Sequence, residues 1–166
     1  ADQALFAALE RAARESGRRI YVASGAIGGF DLMRTFALMG PMEASIENFK
    51  APQNLEGAPY LTGRSLSRTR LETVFQGTVA EAIAGFPKNV NVAVATDLAV
   101  SCDTTVTIQS VPDLEANCHV IRLKNDTAQA EIAISSAPDP KNPRSSTFTA
   151  WSVIALLENL DSTVQF

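Results

Sequence analysis

The spacing of apolar and polar positions divides the chain into helix-period and strand-period stretches. Leu5, Phe6, Leu9 and Ala13 recur on one helical face, Glu10, Arg11, Arg14 and Glu15 fall elsewhere, and Gly17 ends the run. Ile20-Tyr21-Val22-Ala23 reads as a short apolar strand, Ser24-Gly25-Ala26-Ile27-Gly28-Gly29 as a glycine-rich turn, and Phe30 to Met39 as a second helix with Asp31 in its first turn. Helix, strand, glycine turn, helix is the order of an α/β unit whose strand ends at a ligand crevice. After Gly40-Pro41 the period becomes two: Met42, Ala44 and Ile46 alternate with Glu43, Ser45 and Glu47, predicting a strand to Phe49. Residues 50–70, rich in proline and glycine and carrying Arg64, Arg68 and Arg70, predict a long surface loop of the kind that often acts as a lid.

Leu71 to Gln76 predicts a strand, and Thr78 to Ala84 a short helix capped by Thr78. Thr104 to Val111, Cys118 to Lys124 and Ala128 to Ser135 each alternate as strands, and their short polar connections predict an antiparallel meander. Pro138 to Pro143 ends the sheet, and Ser145 or Ser146 caps a final helix through Leu160. The fold class this predicts is α+β, an open mixed or antiparallel sheet with helices on one face.

Composition narrows the function classes. With 46% hydrophobic and 19% charged residues in 166, the chain is an ordinary globular one, long enough for a real core. A net charge of −4 supplies no basic footprint for nucleic acid. No apolar run approaches the roughly 18 residues of a membrane span. Cys102 and Cys118 lack metal-site spacing, and with a single histidine, His119, they predict no zinc site and a reduced, cytoplasmic setting.

Three stretches carry candidate chemistry. Gly85-Phe86-Pro87-Lys88-Asn89-Val90-Asn91 opens with a turn and sets two asparagines at the mouth of an apolar segment, where each either caps a helix or holds a ligand. His119 shares a strand face with Ile121 and Leu123, a pattern that by itself suits a core histidine better than a general acid or base. Lys141-Asn142-Pro143-Arg144-Ser145-Ser146 precedes the last helix; its hydroxyls, cations and free amides suit a carboxylate as readily as they suit an ordinary serine cap. Arg64, Arg68 and Arg70 read as a solvated basic stretch, with a clamp for an acidic substrate as the sharper reading.

Taken in order, Tyr21 to Asp31, Phe86 to Ala93, the strand bearing His119, and Asn142-Pro143-Arg144-Ser145-Ser146 resemble the C-terminal catalytic domain of the L-aspartate dehydrogenase family. The resemblance runs from about Ile20 to Leu157 and is weakest from Ala51 to Arg70; the order of the motifs carries it, since none is diagnostic alone. It implies NAD- or NADP-dependent oxidation of L-aspartate to iminoaspartate, serving pyridine nucleotide biosynthesis or yielding oxaloacetate and ammonia. It makes His119 the catalytic residue and Ala23 and Asn89 the coenzyme contacts, with Lys141, Arg144, Ser145 and Ser146 left as candidate substrate-carboxylate ligands. No metal is implied.

The implied architecture is the C-terminal domain of a two-domain Rossmann-type dehydrogenase. Residues 1–25 would end the dinucleotide-binding domain, 26–144 would form the substrate and dimerisation domain, and 145–166 a helix packing back on the nucleotide-binding half. The glycine fingerprint of that half is not among these residues, so the chain alone is expected to be inactive. A homodimer is expected, because an open sheet face commonly pairs. Two other readings stand beside the dehydrogenase: a non-catalytic ligand-binding or oligomerisation domain, and a related NAD(P)-dependent reductase with another substrate. The first differs at His119, which a catalyst would present to a pocket shared with Asn89 and which a core residue would not.

Overall fold

The computed structural model describes residues 3–140 and 142–165, with residues 3 and 142–145 described by backbone only. The first helix, α1 (Gln3–Ser16), stops at Gly17, whose φ of 66° favours glycine. Residues 20–23, expected as a strand, run as irregular chain with Ile20, Tyr21 and Val22 exposed. A strand needs a ladder partner, and none of the described strands pairs with this run. The glycine turn follows, and Ile27, fully buried, fastens it to the core. Gly29 begins α2 (Phe30–Met39) at φ 78°, where a side chain would be strained; a Cβ there would also meet Ile132 Cδ1 at 2.6 Å.

β1 (Glu43–Lys50) is followed by α3 (Pro52–Leu55) and a 3-10 turn at Pro59–Leu61. The expected surface loop is pinned to the core in its first half, where Pro52, Leu55, Ala58 and Leu61, spaced three apart, are buried, while residues 62–70 stay mostly exposed. Two of its three arginines are tied to local acids, Arg64 to Glu72 at 3.3 Å and Arg68 to Glu56, and Arg70 is exposed, which favours the solvated reading over the clamp.

β2 (Glu72–Thr78) runs into α4 (Val79–Gly85) through the anticipated cap. Thr78 Oγ1 accepts from Glu81 N, and the Glu81 carboxylate accepts from Thr78 N at 2.8 Å. Then come α5 (Asn91–Val100), β3 (Thr104–Ser110), β4 (Asn117–Lys124), β5 (Gln129–Ser136), a small hairpin of β6 (Pro138–Asp139) and β7 (Asn142–Ser146), and α6 (Thr147–Asp161). Of the two candidate caps, Ser146 starts α6, its hydroxyl accepting from Phe148 N at 3.1 Å.

The five long strands form one mixed sheet in the order β2-β3-β1-β4-β5. β1 lies parallel to β3 and antiparallel to β4, so the expected meander of β3, β4 and β5 is broken by β1 between its first two members. Residues 111–116 cross the end of β1, where Val111 N donates to Lys50 O at 2.8 Å. Alternation along β1 buries Ala44, Ile46 and Asn48 on its inner face, and its ladders to β3 on one edge and β4 on the other make it the central strand. The helices α2, α4 and α5 cover that inner face, packing Met33, Phe36, Val79, Ala82, Ala93 and Val100 over Ile46, Val106, Ile108 and Ile121. The outer face is open and polar: Glu47 and Glu131 both hold Arg122, and Gln109 bridges Glu47 to Thr73. The arrangement is the expected α+β one, with helices on a single face of an open mixed sheet.

Candidate functional site

The inner face changes character along the strands. Reading across β3, β1, β4 and β5, one row is Val106, Ile46, Ile121 and Ile132, and the next toward the cleft is Ile108, Asn48, His119 and Ile134. The last row holds Ser110, Lys50, Asn117 and Ser136, in which Lys50 Nζ donates to Asn117 Oδ1 at 3.0 Å. Period two thus carries an apolar core into a polar end on four strands at once. A cleft of about 290 Å³ opens there.

His119 sits in its wall, 2% exposed, with Nδ1 at 2.7 Å from Oδ1 of the directly opposed Asn48. A carbonyl oxygen can only accept, so with this amide orientation Nδ1 carries the hydrogen and Nε2 keeps the lone pair. Burial first, and the Lys50 charge second, lower the His119 pKa to about 4, so the ring is neutral at pH 7. Burial also draws the Lys50 ammonium below the ordinary lysine range, with Cys118 acting the other way. Asn48 Nδ2, Ser110 Oγ and Ser136 Oγ are buried without a hydrogen-bond partner among the described residues.

The depressed histidine has a measurable consequence. As pH falls below 6.5 the unfolded chain takes a proton at this position that the folded ring refuses until about pH 4. Stability should therefore fall across that interval by up to about 3 kcal/mol and level off below it. Denaturant unfolding of the wild type and His119→Gln at several pH values would read this as a loss of stability on acidification that the wild type shows and the variant lacks. Parallel curves would refute it.

The opposite wall comes from the glycine turn and the start of α5. Ala23, Ser24, Gly25 and Ala26 line the cleft with little side-chain bulk. The turn after α4 is closed by Asn89 N donating to Phe86 O at 2.9 Å. Neither asparagine of that stretch is a cap: α5 starts from Val90 with no side-chain cap, and both Asn89 and Asn91 line the cleft. Among the described residues the Asn89 carboxamide makes no hydrogen bond, and the uncapped first turn of α5 adds the partial positive charge of free amides.

The structure therefore gathers Ala23, Asn89, His119 and Ser146 around one cleft. Lys141 lies outside the described residues, and Arg144 and Ser145 are described by backbone only. Sequence reading passed over Asn48, Lys50 and Asn117. Their signal was available: Asn48 and Lys50 continue the Ala44-Ile46 alternation, and Asn117 precedes His119 by two, so all three fall on inner faces where apolar residues were due. No group of three potential metal ligands occurs among the described residues, and no helix there is long and apolar enough to cross a membrane.

An open mixed sheet with one helical face and a polar cleft at the strand ends defines an α+β ligand-binding domain. The model of the family described as aspartate dehydrogenase, C-terminal, matches residues 31–160. The chain belongs to the aspartate dehydrogenase family and carries its C-terminal domain. It is 34% identical over 168 residues to an L-aspartate dehydrogenase of Methanococcus maripaludis (strain C7), covering 99% of this chain and 62% of the relative. With that of Methanospirillum hungatei it shares 35% over 150 residues, 90% of this chain and 56% of the relative. The crystal structure of aspartate dehydrogenase from Thermotoga maritima superposes with a TM-score of 0.71 at 30% identity, over 90% of this chain and 56% of that one. The chain thus spans little more than half the length of these relatives.

Proposed function

We propose that the protein carrying this chain is an NAD- or NADP-dependent L-aspartate dehydrogenase, oxidising L-aspartate to iminoaspartate. The observation that supports it most is the neutral His119, oriented by Asn48 in a cleft that also holds Asn89 and the small residues of the glycine turn. The donor set suits a nicotinamide: Asn89 offers both a donor and an acceptor to a carboxamide, and Ala23 leaves room for a flat ring. When bound beside Ala23 and Asn89, such a coenzyme would supply the hydride acceptor for the substrate α-carbon. This chain's own residues bind and manage protons. His119 Nε2 accepts a proton from the substrate amine, and the hydrogen bond from Nδ1 to Asn48 keeps the ring in the tautomer that leaves Nε2 free. Ser146 Oγ, which accepts from Phe148 N, still has its own O–H to give to a substrate carboxylate. Lys141, Arg144 and Ser145, which precede it in sequence, are the further candidates for that carboxylate.

The domain reading follows the same line. Residues 1–25 end a dinucleotide-binding domain, 26–144 form the substrate domain, and 145–166 pack back on the nucleotide-binding half. In support, α6 buries no residue and exposes Trp151, Ile154 and Leu157, and α1 exposes Leu5, Phe6 and Leu9. The open outer sheet face would pair two copies in a homodimer, and the unpaired Cys102 and Cys118 accord with a cytoplasmic setting. The test is an assay of the full-length polypeptide with L-aspartate and NAD or NADP, and with oxaloacetate plus ammonia in reverse, following the reduced coenzyme by absorbance. Turnover with L-aspartate is expected; none with either coenzyme would overturn the reading.

A further inference from the structure

The last row of the inner face contains a cation that no carboxylate among the described residues neutralises. Among the described residues no carboxylate forms an ion pair with Lys50, although five other ion pairs are made. Its one hydrogen bond, to Asn117 Oδ1 at 3.0 Å, uses one of three ammonium hydrogens. Removing a cation from water without a counter-charge is costly, and a fold that keeps one at a cleft has a use for an anion there. Beside this row the hydroxyls of Ser110, paired with Lys50 in the β1–β3 ladder, and Ser136, paired with Asn117, are buried without a partner among the described residues, although neither lines the cleft.

Position supplies the second half of the argument. Lys50 and Asn117 line the cleft with His119 and also a second lobe of about 410 Å³, lined further by Gln53, Asn54, Gly57 and Glu56, whose carboxylate is paired with Arg68. Ser146 and the α6 N-terminus line only the first lobe. An amino acid with its α-carbon beside His119 and its α-carboxylate toward Ser146 would send its side chain to the junction of the lobes. That junction is where Lys50 stands. Lys88 shares both lobes but is exposed, so water screens it far more than Lys50.

We propose that Lys50, oriented by Asn117, anchors the side-chain carboxylate of the substrate and so selects acidic over neutral amino acids. The identity of the substrate rests on the dehydrogenase reading above; the anion site does not. In the full-length polypeptide, Lys50→Met keeps the stem and removes the charge. It is expected to raise KM for L-aspartate roughly 100-fold, with a much smaller change in kcat, and to weaken inhibition by succinate as strongly. Lys50→Arg should recover part of both. Because a part-buried cation with no ion pair among the described residues is removed, the Tm of Lys50→Met should equal or exceed that of the wild type, which a merely structural lysine would not allow. Lys50→Gln repeats the measurement should the methionine variant fail to fold.

The outcomes separate the two readings. Wild-type turnover of L-aspartate with unchanged KM and succinate affinity in the Lys50 variants would overturn the anchor and leave the dehydrogenase standing. If the wild type does not oxidise L-aspartate, the dehydrogenase reading fails, and calorimetric titration with succinate decides the anchor. Binding lost in Lys50→Met supports it, and no binding, or binding indifferent to Lys50, overturns it.

Discussion

Replacing His119 with alanine in the full-length protein is expected to lower kcat for L-aspartate oxidation by about 10²–10⁴-fold, the range over which a positioned acid–base group contributes. The expectation follows from geometry. The ring is locked from behind by Asn48, across the β1–β4 ladder, so Nε2 is the one basic atom held at the cleft wall in a fixed tautomer. A substrate carboxylate on Lys50 would remove the second cause of the depressed histidine pKa, so the base would strengthen as substrate arrives. KM should move less than kcat, because His119 is not among the groups that hold a carboxylate. Loss of the ring leaves Asn48 Oδ1 buried and unpaired, at a cost of about 1–3 kcal/mol. Circular dichroism and thermal unfolding of the variant must therefore accompany the kinetics. A folded His119→Ala protein with kcat within a few-fold of wild type would end the assignment.

Much of this site was legible before any coordinates, but unevenly. Strand-period alternation located β1, β4 and β5, and the Thr78 cap located the start of α4, because those signals are local. Strand order was not local. Nothing in residues 104–124 says that β1, more than fifty residues earlier, inserts between β3 and β4; that choice shows only in the ladders β1 makes on both edges. In the 50–70 segment the surface-loop expectation fits residues 62–70 and misses residues 51–61, because the stripe of Pro52, Leu55, Ala58 and Leu61 that anchors them is too short to show a period among prolines and glycines. His119 was visible as a histidine on an apolar face, and that face alone argued for a core residue. What changes the picture is the row it belongs to: Asn48 opposite, Lys50 and Asn117 one step nearer the cleft, all reached by counting twos from residues already assigned inward. Asn89 was noticed for the opposite reason, as a polar group that needed a partner, and the uncapped start of α5 shows that a helix cap is not that partner.

Phe86→Ala is expected to destabilise the domain by about 3–5 kcal/mol, the largest single packing loss available here. The ring is fully buried and closes a three-ring cluster, 5.4 Å from Tyr60 and 5.6 Å from Phe75 between centroids, with Tyr60 and Phe75 themselves 5.3 Å apart. These rings join the 3-10 turn, β2 and the end of α4, so the cavity left by alanine has walls on three elements that cannot all collapse into it. The same residue frames the site. Phe86 N donates to Ala82 O at 2.8 Å and Phe86 O accepts from Asn89 N at 2.9 Å, so the buried ring fixes the turn that presents Asn89 to the cleft. Its loss should therefore raise KM for the coenzyme as well as lower the urea midpoint. Phe86→Leu, which keeps most of the volume, should cost about 1–2 kcal/mol and leave the coenzyme KM nearly unchanged. A Phe86→Ala protein whose urea midpoint matches the wild type would show that the aromatic cluster does not support the fold, and with it that the turn at Asn89 is held by something else.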